Sequence, residues 1–108
     1  MEQIYWLEPR KKQATKEVSI SVEEYRGRKY TTIRFYNHAA SKVTKNKCMR
    51  VGVTDKRMYF GDATSGYTLR ETGNPANKYV KLTGNRDTFV GDYDLQFDAE
   101  RKLWYVGV

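Results

Sequence analysis

The segment Lys29-Tyr30-Thr31-Thr32-Ile33-Arg34-Phe35-Tyr36, on an extended strand, puts Tyr30, Arg34 and Tyr36 on one face. A guanidinium between phenol rings can pair with a phosphate and stack on a base, the chemistry of a nucleic-acid contact surface. The charge around the segment points the same way. Fourteen of the twenty Lys and Arg residues fall between Met1 and Arg57 against six acids, so this stretch carries +8, while Met58 to Val108 carries −1. Candidate phosphate contacts are Arg26, Arg28, Lys29, Arg34, Lys45, Lys47, Arg50, Lys56 and Arg57, and candidate stacking groups are Tyr30, Tyr36 and Tyr59.

Nucleophilic catalysis finds few candidates. A Ser-His-Asp or Cys-His mechanism needs a base beside its nucleophile, yet the only histidine is His38 and the only cysteine Cys48, ten residues apart. Zinc sites want several Cys or His ligands, and no Walker loop or dinucleotide-binding glycine fingerprint occurs. Asp92, Asp94, Asp98 and Glu100 form the one acidic cluster, and Glu100-Arg101-Lys102 spaces a carboxylate and an amine as a metal-dependent phosphodiesterase does. That spacing belongs on a strand, whereas here it falls where a hairpin must turn and where Asp, Glu and Lys are ordinary turn residues. The expectation is a protein with no catalytic residues, no metal and no cofactor.

These side chains need elements to hold them, and the chain reads as short alternating strands between turns. Val18, Ile20 and Val22 share one face of the run from Glu17, Ile33 and Phe35 share another, and Met49 to Val53 adds a third. Met58 and Phe60 alternate with Arg57 and Tyr59 as in a hairpin partner. Further strands are expected at Tyr67 to Arg70, Lys78 to Leu82 and Thr88 to Val90, with a breaker at Thr72 to Asn77 and a turn at Gly84 to Asp87. Tyr93 to Phe97 should pair with Leu103 to Val106 across Asp98 to Lys102. The helical candidate is 37–47, with Asn37 as cap and Ala39 and Val43 four apart on one face.

The fold class expected is mainly β, or α+β if the helix forms. It would be a small antiparallel sandwich or partly open barrel of about seven strands, with at most one short helix near 37–47. If the 29–36 strand neighbours the 49–60 hairpin, Arg34, Arg50, Arg57, Tyr36 and Tyr59 share the face opposite a core of Ile33, Phe35, Val51 and Phe60. Residues 17–108 read as a single β-rich domain, and 1–16 as a flexible basic N-terminal arm. Alternatively, Ile4 to Leu7 forms an edge strand followed by a solvated loop.

At 108 residues with 39% hydrophobic and 31% charged residues, the chain can bury one modest core. Nine tyrosines against four phenylalanines suit half-buried sheet faces and interfaces. No apolar run approaches the roughly 18 residues of a membrane span, and the N-terminus lacks the pattern of a signal peptide. A soluble, cytoplasmic protein with no membrane partner is the expectation, and a lone cysteine agrees with a reducing compartment.

The function expected is non-enzymatic binding of single- or double-stranded nucleic acid through a basic, tyrosine-bearing sheet face. Its rival is a small protein-interaction module that docks on an acidic protein surface, such as a regulator or inhibitor, of phage or mobile-element origin, of a larger nucleic-acid-handling enzyme. Tyr, Trp and Arg are enriched at interface hot spots and fit both readings. A basic face is also an ordinary means of keeping a small β protein soluble, and exposed strand edges leave a homodimer open.

Overall fold

The computed structural model describes residues 3–4, 17–71, 73–74 and 76–107. The basic stretch expected as an arm lies almost wholly outside the described residues. The elements follow in chain order: β1 (Val18–Tyr25), β2 (Arg28–Phe35), α1 (Ala39–Val43), β3 (Cys48–Val53), β4 (Arg57–Ala63), β5 (Tyr67–Thr68), β6 (Arg70–Glu71) and β7 (Lys78–Thr83). A 3-10 turn (Asp87–Phe89), β8 (Gly91–Tyr93), β9 (Gln96–Asp98) and β10 (Leu103–Gly107) follow.

Among the described residues all strand pairs are antiparallel, and they form two five-stranded sheets, ordered β6-β7-β2-β1-β8 and β5-β3-β4-β10-β9. Only Leu69 separates β5 from β6, and only Asp94 and Leu95 separate β8 from β9. The chain thus changes sheet at both edges of the stack. The result is a partly open arrangement in which no ladder closes a barrel among the described residues. Counting each crossing as one bent strand gives eight, close to the number that alternation implies; the finer division into ten reflects these corners.

The first hairpin shows why local sequence suffices for local structure. Residues Val18 and Ile20 of β1 and Ile33 and Phe35 of β2 point inward and are almost fully buried, as period-two alternation demands. Tyr25 and Arg28 form its last rung, so Arg26 and Gly27 make a two-residue turn with φ of 52° and 75°. Two left-handed residues define the hairpin turn whose twist matches that of its strands. Glycine adopts the second position freely, whereas an arginine at the first costs on the order of 1 kcal/mol.

The sheets meet over one shared core. Phe35 from the first and Phe60 from the second pack edge to face, with ring centroids 5.2 Å apart at 78°. Met49, Met58 and Val106 join from the second sheet, Val80 and Leu82 from β7, and Ala39, Ala40 and Val43 from α1 cover this cluster. The helix is five residues long, far shorter than 37–47, and its burial rather than intrinsic propensity holds it. Asn37 does not cap it. Asn37 and His38 both take left-handed conformations, His38 occupies the cap position without a side-chain bond, and the Asn37 N–H donates instead to Asn77 Oδ1 at 3.2 Å.

Two further expectations change. Residues 88–90 form no strand: Phe89 N–H donates to Arg86 O and Val90 N–H to Asp87 O, closing a tight turn that sends the Phe89 ring into the core. The strand lies one step later, at Gly91–Tyr93 beside β1. Nor does β2 neighbour the β3–β4 hairpin, because β1 and β7 occupy both of its edges and the connection through α1 carries the chain to the other sheet. No described helix is long and apolar enough to cross a membrane.

Candidate nucleic-acid interface

Among the described residues, cationic and aromatic side chains converge on the outer face of the second sheet. In β4, Met58 and Phe60 turn inward, so alternation sends Arg57 and Tyr59 outward. Tyr105 of β10 stands directly opposite Tyr59, and Gln96 of β9 opposite Tyr105. The two tyrosine rings lie 5.6 Å apart, and the Tyr105 hydroxyl donates to Gln96 Oε1 at 2.9 Å.

Two guanidiniums cover these rings. Arg57 lies 4.1 Å from the Tyr105 centroid and Arg101 lies 5.1 Å from that of Tyr59. Both also reach the Tyr59 hydroxyl, Arg57 Nη1 at 3.3 Å and Arg101 Nη1 in a shorter bond. That hydroxyl in turn donates to Asp98 Oδ2 at 3.3 Å. Tyr59 is only 6% exposed, so its ring serves as a floor and the guanidinium planes form the accessible layer.

Asp98 fixes the geometry from behind. Its Oδ1 accepts the backbone N–H groups of Glu100 at 3.1 Å and Arg101 at 3.2 Å, folding the β9–β10 turn so that the Arg101 side chain returns over Tyr59. The Arg101 N–H is the main reason that the carboxyl sits below its ordinary value, followed by the Glu100 N–H, the Tyr59 hydroxyl and the Arg101 charge. Arg57 is held charged more firmly than usual, chiefly by its bond to Tyr59. Asp98 Oδ2 pairs with both guanidiniums, at 3.8 Å from Arg57 Nη1 and 3.5 Å from Arg101 Nη1.

An open cleft of about 610 Å³ adjoins this cluster, lined by Thr54, Asp55, Lys56, Arg57, Tyr59 and Arg101. On the other side of Tyr59, Arg50 lies across Gly61, where an added Cβ would stand 2.5 Å from Arg50 Nε and 2.9 Å from Leu103 Cδ2. The absence of a side chain at Gly61 is what lets Arg50 rest on the sheet.

Arg50, Lys56, Arg57 and Tyr59 of the sequence-derived set therefore come together. Arg34, Tyr30 and Tyr36 do not join them. Arg34 and Tyr30 lie on the outer face of the first sheet, and Tyr36 follows the end of β2 with its N–H bonded to Glu17 O. The Arg34 guanidinium there donates to Ser21 Oγ at 3.0 Å and pairs with Glu23, which lowers the Glu23 pKa and commits the arginine internally. Arg26, Arg28 and Lys29 stand exposed at the β1–β2 turn, and Lys45 and Lys47 in the loop before β3.

Arg101, Tyr105 and Gln96 escaped the sequence reading as contact residues, and Asp98 entered it only as one of an acidic cluster. Alternation in Leu103–Gly107 marks Tyr105 as outward, but nothing local says that β10 lies beside β4. Asp92 sits in β8 while Asp94 follows its end, and Glu100 and Lys102 lie in the β9–β10 turn. Among the described residues no three His, Cys, Asp or Glu side chains gather as a metal site. No family model, curated protein or solved structure matches the chain.

Proposed function

We propose that this is a non-enzymatic nucleic-acid-binding protein whose main contact surface is the outer face of β4, β10 and the β9–β10 turn. The observation that carries the reading is the stacking of Arg57 and Arg101 over Tyr105 and Tyr59 beside an open cleft. Guanidinium planes stacked on rings present flat cationic surfaces, which pair with phosphates and stack on bases. Asp98 and Tyr59 hold these planes in place before binding, so little side-chain entropy is lost on association. Lys56 and Arg50 extend the positive surface on either side.

Fluorescence anisotropy with labelled single-stranded DNA, duplex DNA and RNA across a salt series tests the reading. Affinity should fall steeply with salt, since each phosphate contact lowers the log–log slope by about 0.7 to 0.9. Arg57→Ala with Arg101→Ala should reduce both affinity and slope, and absence of binding at physiological salt would remove the proposal.

A second reading, a module that docks on an acidic protein, draws on a different feature. Phe97 at the edge strand β9 is 51% exposed and packs edge to face on Trp104 at 5.1 Å. An exposed aromatic at a sheet edge, backed by a half-buried tryptophan, suits a protein partner better than a phosphate backbone. Phe97→Ala should then abolish partner capture while leaving nucleic-acid affinity unchanged.

A further inference from the structure

The β1–β2 hairpin extends beyond its sheet. On one side β8 pairs with β1 only from Val18 to Ile20, and on the other β7 ends opposite Tyr30, where Thr83 is its last residue. Past that rung no third described strand pairs with the two, which continue through Glu24 opposite Lys29 and Tyr25 opposite Arg28 to the Arg26-Gly27 turn. All six residues from Glu24 to Lys29 are exposed. The base of the ribbon is braced, because Gly84 N–H donates to Lys29 O at 3.0 Å.

We propose, resting on the nucleic-acid reading above, that this ribbon enters the major groove of duplex DNA, with Arg26 and Arg28 meeting base edges and Lys29 the backbone. Three residues at about 3.4 Å each carry the tip roughly 10 Å beyond the Tyr30 rung. The major groove of B-DNA is about 8.5 Å deep and about 12 Å wide and admits a two-stranded ribbon, whereas the minor groove, about 6 Å wide, takes one only if the DNA is widened or bent. The major groove of duplex RNA is too narrow for side chains to read, so the ribbon selects DNA.

Charge and strain agree with the dimensions. Between Glu24 and Lys29 there are three cations and one acid, and that acid sits at the base rung, farthest from the tip. Arg26 occupies a left-handed position that asparagine or glycine fills with less strain, and its guanidinium bends back over the Tyr25 ring at 5.2 Å. The chain thus keeps a strained arginine at its apex, where a guanidinium can donate two bonds to guanine O6 and N7.

The test uses the full chain with mixed-sequence duplex DNA, single-stranded DNA of the same length and duplex RNA. Arg26→Gly with Arg28→Ala should weaken duplex DNA binding by about tenfold or more, the effect of losing base contacts. Single-stranded binding, carried by Arg57 and Arg101, should change by no more than about twofold, the scale of a nonspecific charge effect. Lys45→Ala with Lys47→Ala removes the same charge and should cost duplex binding far less. In the wild-type complex, guanine N7 should be protected from dimethyl sulfate, and the hairpin variant should lose that protection.

Unchanged duplex affinity in the hairpin variant, equal losses on single and double strands, a loss no greater than that of the lysine variant, or unprotected N7 in the wild-type complex would each overturn the ribbon. In all of these the wild type still binds nucleic acid, so the sheet-face reading survives. A wild type that binds none of the three probes removes both.

Discussion

The Arg57 guanidinium lies 4.1 Å from the centroid of the Tyr105 ring, joining side chains from strands that adjoin in space but are far apart in sequence. The ring orients a cation that would otherwise sample many rotamers on an open sheet. Tyr105→Leu keeps apolar cover but removes the π face, so nucleic-acid affinity should fall by about two- to fivefold, matching the roughly 0.5 to 1 kcal/mol of an exposed cation–π contact. Tyr105→Phe, which retains the face and loses only the bond to Gln96, should stay within about twofold by the same estimate. Anisotropy titrations at one fixed salt concentration read the difference, and equal losses in the two variants would count against the stacking role.

Asp98 links fold to charge, and the link has a definite pH signature. Its carboxyl is lowered in the folded state, chiefly by the Arg101 backbone N–H, so its contribution to stability is present above the unfolded-state value and is lost as pH falls through the folded one. Asp98→Asn keeps an acceptor for the turn but not the charge. The difference in melting temperature between wild type and Asp98→Asn should be full at neutral pH, begin to shrink near the usual aspartate range of about 4, and vanish at lower pH. A difference that grows on acidification would contradict the assignment.

Arg26 separates stability from binding. Asparagine tolerates the left-handed conformation at the first position of this turn, so Arg26→Asn should stabilise the protein by about 0.5 to 1 kcal/mol in urea denaturation. If the ribbon enters a DNA groove, the same change should weaken duplex affinity. Movement of both quantities in the same direction would argue that the arginine is simply a poor turn residue.

Two glycines with positive φ should respond very differently to alanine. Gly107, with φ of 116°, would bring a Cβ to 2.3 Å from Lys56 O and 3.2 Å from Arg57 Cα, both backbone atoms that cannot step aside. Gly27, with φ of 75°, meets nothing within 4 Å. Gly107→Ala should cost at least about 2 kcal/mol and disturb the β4–β10 ladder that carries Tyr59 and Tyr105, whereas Gly27→Ala should cost about 1 kcal/mol of turn strain alone. Denaturation midpoints of the two variants give the comparison directly.

Much of the architecture is written in the sequence because strand alternation is a local property. The period of two in residues 18–22, 31–35 and 57–61 fixes which side chains point inward. The separation of charge into a basic first half is equally a property of the chain, as is the outward placement of Arg34, Arg57 and Tyr59.

Only the tertiary structure decides which outward faces coincide. An exposed strand edge offers the same row of N–H and C=O groups to any partner, so alternation carries no information about neighbours. For that reason Arg34 looks in sequence like a companion of Arg57 and Tyr59, yet β1 and β7 flank its strand and Glu23 takes its charge. Arg101 reads as an ordinary turn residue, yet the Asp98 carboxylate folds that turn onto Tyr59, and the antiparallel register of β10 with β4 brings Tyr105 beneath Arg57. Facing and charge are set residue by residue, whereas the site depends on pairings between distant segments that backbone hydrogen bonding permits in many ways and core packing resolves in one.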